Sequence, residues 1–271
     1  MNITVSGLSF TYPGGVTALR DVTLQIAAGE AVAILGENGA GKTTLVKQFN
    51  GLLRPTAGRV QVGDWDTRDH TVAQLAGRVG YVFQNPDDQL FERTVRREVA
   101  FGPRNLGFSE PEIAAAVAEA LQQVALEGRA GDHPYDLHLS ERKLLAIAAI
   151  LAMRTPVVVF DEPTTGQDTR GMARIAAIVD ALKAAGRTLV AISHDVDFCA
   201  EHFDRAIIMA SGQILADGPA RAIFSQAALL RQADVEPPQL ARLAGALSLP
   251  ETPLQVEEFV DAFARWRSHA R

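Results

Sequence analysis

The stretch Gly36-Glu-Asn-Gly-Ala-Gly-Lys-Thr43, GENGAGKT in one-letter code, decides how the chain is read. It fits G-x-x-x-x-G-K-[ST], a pattern that lays a nucleotide's phosphates on backbone N–H groups. The apolar run Ala31-Val-Ala-Ile-Leu35 before it suits a buried strand, and Thr44-Leu-Val-Lys-Gln-Phe49 after it can start a helix. Strand, glycine loop and helix together are the context the motif needs. Small residues let the loop curl until its amides converge, and the helix N-terminus adds partial positive charge at the phosphate. Gly36, Asn38, Gly39, Gly41, Lys42, Thr43 and Thr44 are therefore the candidate phosphate-binding residues. Lys42 is placed to reach the β- and γ-phosphates and the Thr43 hydroxyl to hold Mg²⁺. The implied ligand is a nucleoside triphosphate.

Outward from this loop, the upstream chain alternates. Ile3–Phe10 and Val22–Ile26 read as strands, separated by the turn residues Tyr12-Pro-Gly-Gly15. Several short strands ahead of the loop predict an antiparallel layer built onto a nucleotide-binding core. Tyr12 fits two roles equally, stacking on an adenine ring or packing on its edge-strand neighbours.

Downstream, a helix from Thr44 to Leu53 ends at the breaker cluster Arg54-Pro-Thr-Ala-Gly58. Arg59–Val62 and Arg78–Phe83 read as strands, the second running into the polar loop Gln84–Phe91. Gln84, at a strand's carboxyl end, is well placed to touch Mg²⁺ or the attacking water, because ligands bind at such ends in open α/β sheets. Ser109-Glu-Pro-Glu112 is a capping box opening a helix with Ile113, Val117, Leu121 and Val124 on one face, and a second helix runs from about Glu141 to Met153. The two predict a helical subdomain.

Val157-Val-Val-Phe160 is a buried strand that ends in Asp161-Glu162. Adjacent carboxylates at such a place are costly unless they serve a ligand. Asp161 is the candidate for the Mg²⁺ shell and Glu162 for taking a proton from water. A helix from about Arg170 to Ala185 leads to the strand Thr188–Ser193, after which His194 lies in the same layer as the phosphate loop. Arg205–Met209 and Gln213–Ala216 read as a closing hairpin, and the chain past Gly218 turns helical, with a break at Val235-Glu-Pro-Pro238.

Composition narrows the partners. With 271 residues, 47% of them hydrophobic, there is room for one large α/β domain and a small appendage. A net charge of −6 argues against a nucleic-acid partner held on a broad basic face. The one cysteine, Cys199, excludes an intrachain disulfide and fits a reducing compartment. Met1-Asn-Ile-Thr lacks the features of a signal peptide, and the greasy Leu144–Met153 is too short to span a bilayer. His133 and His138 fall in a loop without carboxylates at ligand spacing and read as non-ligands.

GENGAGKT, Gln84, VVVFDEP, TTGQD and ISHD, in this order, resemble the nucleotide-binding subunit of an ATP-binding cassette (ABC) transporter over residues 3–230. VFQNPDDQLF with TVRREVAFGPRNLG, and the tail ADVEPPQLARL, resemble more narrowly the ATPases of energy-coupling factor importers, which take up vitamins or transition-metal ions. The fold this implies is α/β, a P-loop NTPase (RecA-like) core with an antiparallel β-subdomain, a helical signature subdomain at about 86–154 and a C-terminal dimerisation extension at 231–271. The implied ligands are ATP and Mg²⁺. Tyr12 becomes the adenine-stacking aromatic, Gln84 the Q-loop glutamine, Glu162 the catalytic base, His194 the switch histidine, residues 165–168 the D-loop, and Thr43, Gln84 and Asp161 the metal set. The implied partners are a second ATPase and membrane subunits for coupling and substrate binding, contacted around Gln84–Phe101, which places the chain at the cytoplasmic face of the membrane as a peripheral protein. A soluble ABC-type ATPase and a regulatory nucleotide-binding subunit are the alternative readings.

One motif departs. Where the family carries LSGGQ, this chain has Leu137-His-Leu-Ser-Glu141. Leu139 adds bulk where a glycine allows close approach to phosphate, and Glu141 adds negative charge beside a negative ligand. The expectation is a chain complete for its own ATP that offers a defective signature to its partner, and so works in a heterodimer.

Overall fold

The computed structural model describes residues 1–269. Two sheets form its frame. The first is four-stranded and antiparallel, in the order β2-β1-β4-β5, from β1 (Ile3–Thr11), β2 (Thr17–Ile26), β4 (Ala57–Val62) and β5 (Trp65–Asp66). The second is six-stranded, in the order β10-β9-β3-β8-β7-β6. It is built from β3 (Ala31–Leu35), β6 (Val79–Val82), β7 (Val157–Asp161), β8 (Thr188–Ile192), β9 (Arg205–Ala210) and β10 (Gln213–Pro219). Strands β6, β7, β8, β3 and β9 run parallel, and β10 closes the edge antiparallel to β9.

The core strands are apolar throughout because both of their faces are covered. Every residue of β3, β7 and β8 is buried, as a parallel sheet between two layers requires. One face, with Val32, Ile34, Val159 and Ile192, packs on the antiparallel sheet and on α1 (Lys42–Phe49). The other, with Ala33, Leu35, Phe160 and Ala191, packs on helices. Between the two sheets' elements lies the short α2 (Val72–Ala76), opened by a Thr71–Gln74 capping box.

Between β6 and β7 the helices α3 (Val95–Asn105), α4 (Glu110–Gln123) and α5 (Leu139–Ala152) pack on one another. The predicted Ser109–Glu112 capping box is present, with Glu112 accepting from the Ser109 N–H at 2.7 Å. Helix α3 escapes a reading of sequence pattern because Pro103 stands inside it. Its buried Val95 and Val99 repay the backbone bond that proline removes. The first core helix starts at Lys42 and stops at Phe49 rather than running from Thr44 to Leu53, because Gly51 takes a left-handed φ of 73°. After β7 come α6 (Thr169–Ala184) and, after β8, α7 (Val196–His202).

Helices α8 (Ala220–Phe224), α9 (Ala227–Gln232), α10 (Gln239–Ala246) and α11 (Val256–His269) form the C-terminal part. Phe259, Phe263 and Trp266 stack in a row along α11, with centroids 6.1 and 5.7 Å apart. Among the described residues no helix is long and apolar enough to cross a membrane.

Candidate functional site

Parallel pairing brings four strand ends to one edge. Ile34 and Asp161 both pair with Ile192, and Val82 pairs with Phe160. The residues that follow these strands therefore open onto one crevice, the usual ligand position in an α/β sheet. A cleft of about 340 Å³ lies there. Its lining includes Tyr12, Asn38, Gly39, Gly41, Lys42, Thr43, Thr44, Gln84, Glu162 and His194. Residues predicted from five separate stretches thus converge. Gly36 and Asp161 lie just behind the lining, Asp161 being only 2% exposed.

The loop geometry demands its glycines. Gly36 has φ 148°, and a Cβ there would sit 2.0 Å from the Met209 carbonyl oxygen. Gly41 has φ 97°, and a Cβ would come within 2.6 Å of the Ala18 carbonyl oxygen. Helix α1 starts immediately after, with no side-chain cap and no acidic residue in its first turn. Several other helix starts are capped by their own side chains, as Asp168 caps α6 and Asp195 caps α7. The uncapped N–H groups of α1 fit a phosphate group.

Lys42 is buried and donates to the carbonyls of Gly36 at 2.7 Å and Glu37 at 2.9 Å. Burial lowers its pKa, while the charges of Glu162, Asp161 and Glu37 oppose that fall. Thr43 Oγ1 donates to Asp161 Oδ1 at 3.3 Å, and Tyr81 Oη donates to Asp161 Oδ2 at 2.7 Å. The Tyr81 phenol, pushed above its ordinary pKa mainly by burial, stays a donor. A hydroxyl, a carboxylate and the exposed amide of Gln84 form an all-oxygen donor set with few protein ligands, which fits Mg²⁺ bound chiefly through phosphates. Among the described residues there is no group of three or more His, Cys, Asp or Glu side chains able to hold a metal ion.

Glu162 is 4% exposed and has φ 52°, a left-handed backbone held by its own N–H donating to the Ile192 carbonyl at 2.9 Å. Its Oε2 accepts from the His194 backbone N–H at 3.1 Å and from Thr165 Oγ1 at 3.4 Å, and Oε1 lies 3.2 Å from His194 Nε2. Burial raises the Glu162 pKa, and the neighbouring His194 and Lys42 counteract this. A desolvated carboxylate beside a phosphate-binding loop is the arrangement that can accept a proton from water. Tyr12 is 38% exposed, packs edge-on against Phe10 at 4.8 Å and shares a 3.0 Å hydrogen bond between its hydroxyl and that of Thr44. It thus packs on its edge-strand neighbour and also lines the cleft.

The departing motif forms the start of α5, with His138 as N-cap. Glu141, expected to bring negative charge beside a ligand, is bonded within its own chain. Its Oε2 accepts from the His138 N–H at 2.9 Å, and Oε1 pairs with Arg129 at 3.3 Å. The helix therefore carries its own anion at its N-terminus, where α1 carries none.

Three residues at or near the site have no role assigned from the sequence, although one of them, Gln89, lies within VFQNPDDQLF. Tyr81 is one. Gln89 accepts from the Phe83 N–H at 3.1 Å and donates to the Ala146 carbonyl at 2.8 Å, fastening the loop after β6 to α5. Lys143, buried on α5, reaches the turn that follows Glu162. A lysine in a greasy helix was the one available signal.

Comparison with known proteins gives the family. Residues 19–165 match the family model described as ABC transporter. The energy-coupling factor transporter ATP-binding protein EcfA of Methanothermobacter thermautotrophicus is 41% identical over 263 residues, covering 94% of this chain and 84% of its own. The cobalt import ATP-binding protein CbiO of Rhodobacter capsulatus is 42% identical over 245 residues, covering 89% and 87%. The solved cbiO1 of Clostridium perfringens, part of the complex cbiONQ, superposes with TM-score 0.75 at 31% identity, covering 91% of this chain and 98% of its own. The chain spans only 46% of the length of an ABC transporter ATP-binding protein of Caldanaerobacter subterraneus to which it is 40% identical. The chain belongs to the ABC transporter family. Its fold is that of an ABC ATPase, the ATP-binding member of such transporters.

Proposed function

We propose that this chain is the ATP-hydrolysing subunit of an energy-coupling factor importer of a vitamin or transition-metal ion, paired with a second, different ATPase. The contrast between two helix N-termini carries the reading. That of α1 stands open beside Lys42, Glu162 and His194, whereas that of α5 is closed by Glu141. A complete site for the chain's own ATP sits in the same molecule as a signature ill suited to a partner's phosphate.

Within the cleft, Gly36, Asn38, Gly39, Gly41, Lys42, Thr43 and Thr44 hold the phosphates, and Tyr12 holds the base. Thr43, Asp161 and Gln84 hold Mg²⁺, which neutralises charge on the phosphate oxygens. Glu162 takes the proton of the attacking water, and His194 orients Glu162 and the terminal phosphate. The import assignment draws support from the relatives named for energy coupling and cobalt import. An exposed edge-to-face pair, Phe91 and Phe101 with centroids 4.7 Å apart, supports docking of a membrane subunit against α3. The row of aromatics on α11 supports a role for residues 231–271 in pairing two ATPases. The chain then sits peripherally at the cytoplasmic face of the membrane.

The test is to purify the chain with its membrane subunits, with and without a partner ATPase bearing an intact LSGGQ, and to measure turnover. The expected result is co-purification from detergent-solubilised membranes and strong hydrolysis only with the partner. Equal hydrolysis without the partner would defeat the heterodimer, and failure to co-purify would defeat the import role.

A further inference from the structure

Helix α5 sends one charged side chain inward among its apolar residues. Lys143 is 8% exposed, flanked in the helix by the buried Leu144, Leu145, Ala146 and Ile147. Its Nζ donates to the Thr165 carbonyl at 2.5 Å and lies 3.5 Å from the Glu162 carbonyl. A second bond runs alongside, from Gln167 Nε2 to the Ser140 carbonyl at 3.2 Å. The first turn of α5 is thereby stapled to the turn 162–167 at two points.

Burying an ammonium on neutral carbonyls is expensive, and an apolar side chain of the same length would pack there without that cost. Burial indeed lowers the Lys143 pKa, opposed only by the Glu162 charge. The position of the cost is informative. Glu162 has a left-handed backbone, a conformation that persists in a non-glycine residue only where its surroundings over-determine it. On one side the Glu162 N–H is held by Ile192, and on the other the carbonyl faces Lys143.

We infer that Lys143 is a positioning residue for ATP hydrolysis: from the signature helix it holds the Glu162–Thr165 turn so that the Glu162 carboxylate stays against His194 and the cleft. Through Lys143, the placement of the base depends on where α5 sits. Because α5 also carries the signature and receives Gln89 from the loop after β6, a shift of the helical layer moves Glu162 as well.

The inference rests on Glu162 acting as the base, so Glu162→Gln and Lys143→Met are assayed together in the complete complex. A fully active Glu162→Gln would sink the base assignment, whatever Lys143 does. For Lys143→Met, the expected outcome is a fall in kcat of about 10- to 100-fold, the scale on which small misplacement of a reacting group acts. KM for ATP and affinity for a fluorescent ATP analogue stay within about twofold, since the phosphate loop is untouched, and Lys143→Arg restores most of kcat. Unchanged kcat in Lys143→Met overturns the inference, and so does a parallel loss of kcat and nucleotide affinity that Lys143→Arg fails to repair. Should Lys143→Met not fold, Gln167→Ala decides by removing the companion staple. A selective loss of kcat supports the inference, and normal kcat overturns it.

Discussion

Glu162 stands between opposing influences. Desolvation favours its protonated form, while the His194 N–H, the His194 ring and Lys42 favour the charged one. The balance leaves the carboxyl above the ordinary glutamate range, which makes it a better proton acceptor than a solvated glutamate. Glu162→Gln keeps the shape and the bond from His194 but removes the basic oxygen. Turnover of the complete complex is expected to fall by about 10²–10⁴-fold, with binding of a fluorescent ATP analogue retained. Full activity in a steady-state phosphate-release assay would remove Glu162 from this role. At the same scale, Tyr81 and Thr43 divide the two oxygens of Asp161 between them, so the carboxylate proposed to face Mg²⁺ is oriented by the chain's own side chains.

At the scale of elements, function follows from how each helix start is finished. Helix α7, only seven residues long, follows His194 directly and depends on Asp195, which accepts from the Phe198 N–H at 3.0 Å. Asp195→Ala is expected to cost about 1 kcal/mol, read as a fall in Tm of about 2–4 °C for a chain of this size. It is also expected to loosen the turn that carries His194. A Tm unchanged within error would show that the burial of Phe198 and Cys199 alone holds α7 in place. Helix α7 is too short for an apolar period to stand out, and α3 is masked by its proline, so neither is legible in pattern alone. The self-capping of α5 is half legible. His138 and Glu141 have capping-box spacing, yet only the fold supplies Arg129 as the partner of the second carboxylate oxygen.

Across the whole molecule, the two sheets clamp α1 while the helical layer carries the signature, whose Ser140 carbonyl accepts from Gln167 in the turn that follows Glu162. In the function proposed above, a second ATPase completes the site for hydrolysis. Replacing Leu137–Glu141 by LSGGQ through His138→Ser, Leu139→Gly, Ser140→Gly and Glu141→Gln removes both the bulk and the internal anion. The chain assayed without a partner ATPase is expected to gain at least about 10-fold in ATP turnover, given that one preorganised donor is worth about 10²–10³-fold. No gain, with the fold intact by circular dichroism, would show that the native signature does not limit hydrolysis.

The linear chain by itself determined the phosphate loop, the apolar strand runs and the carboxylate pair, because each is a local pattern whose physics needs only neighbouring residues. It also carried the order of motifs on which the family assignment stands. Only the tertiary structure decided that Asp161 and Ile34 share one strand neighbour, that Glu141 turns inward to Arg129, and that Lys143 reaches the turn after Glu162. Those relations join residues far apart in the chain, and strand register and helix packing, rather than any local pattern, bring them within hydrogen-bonding distance.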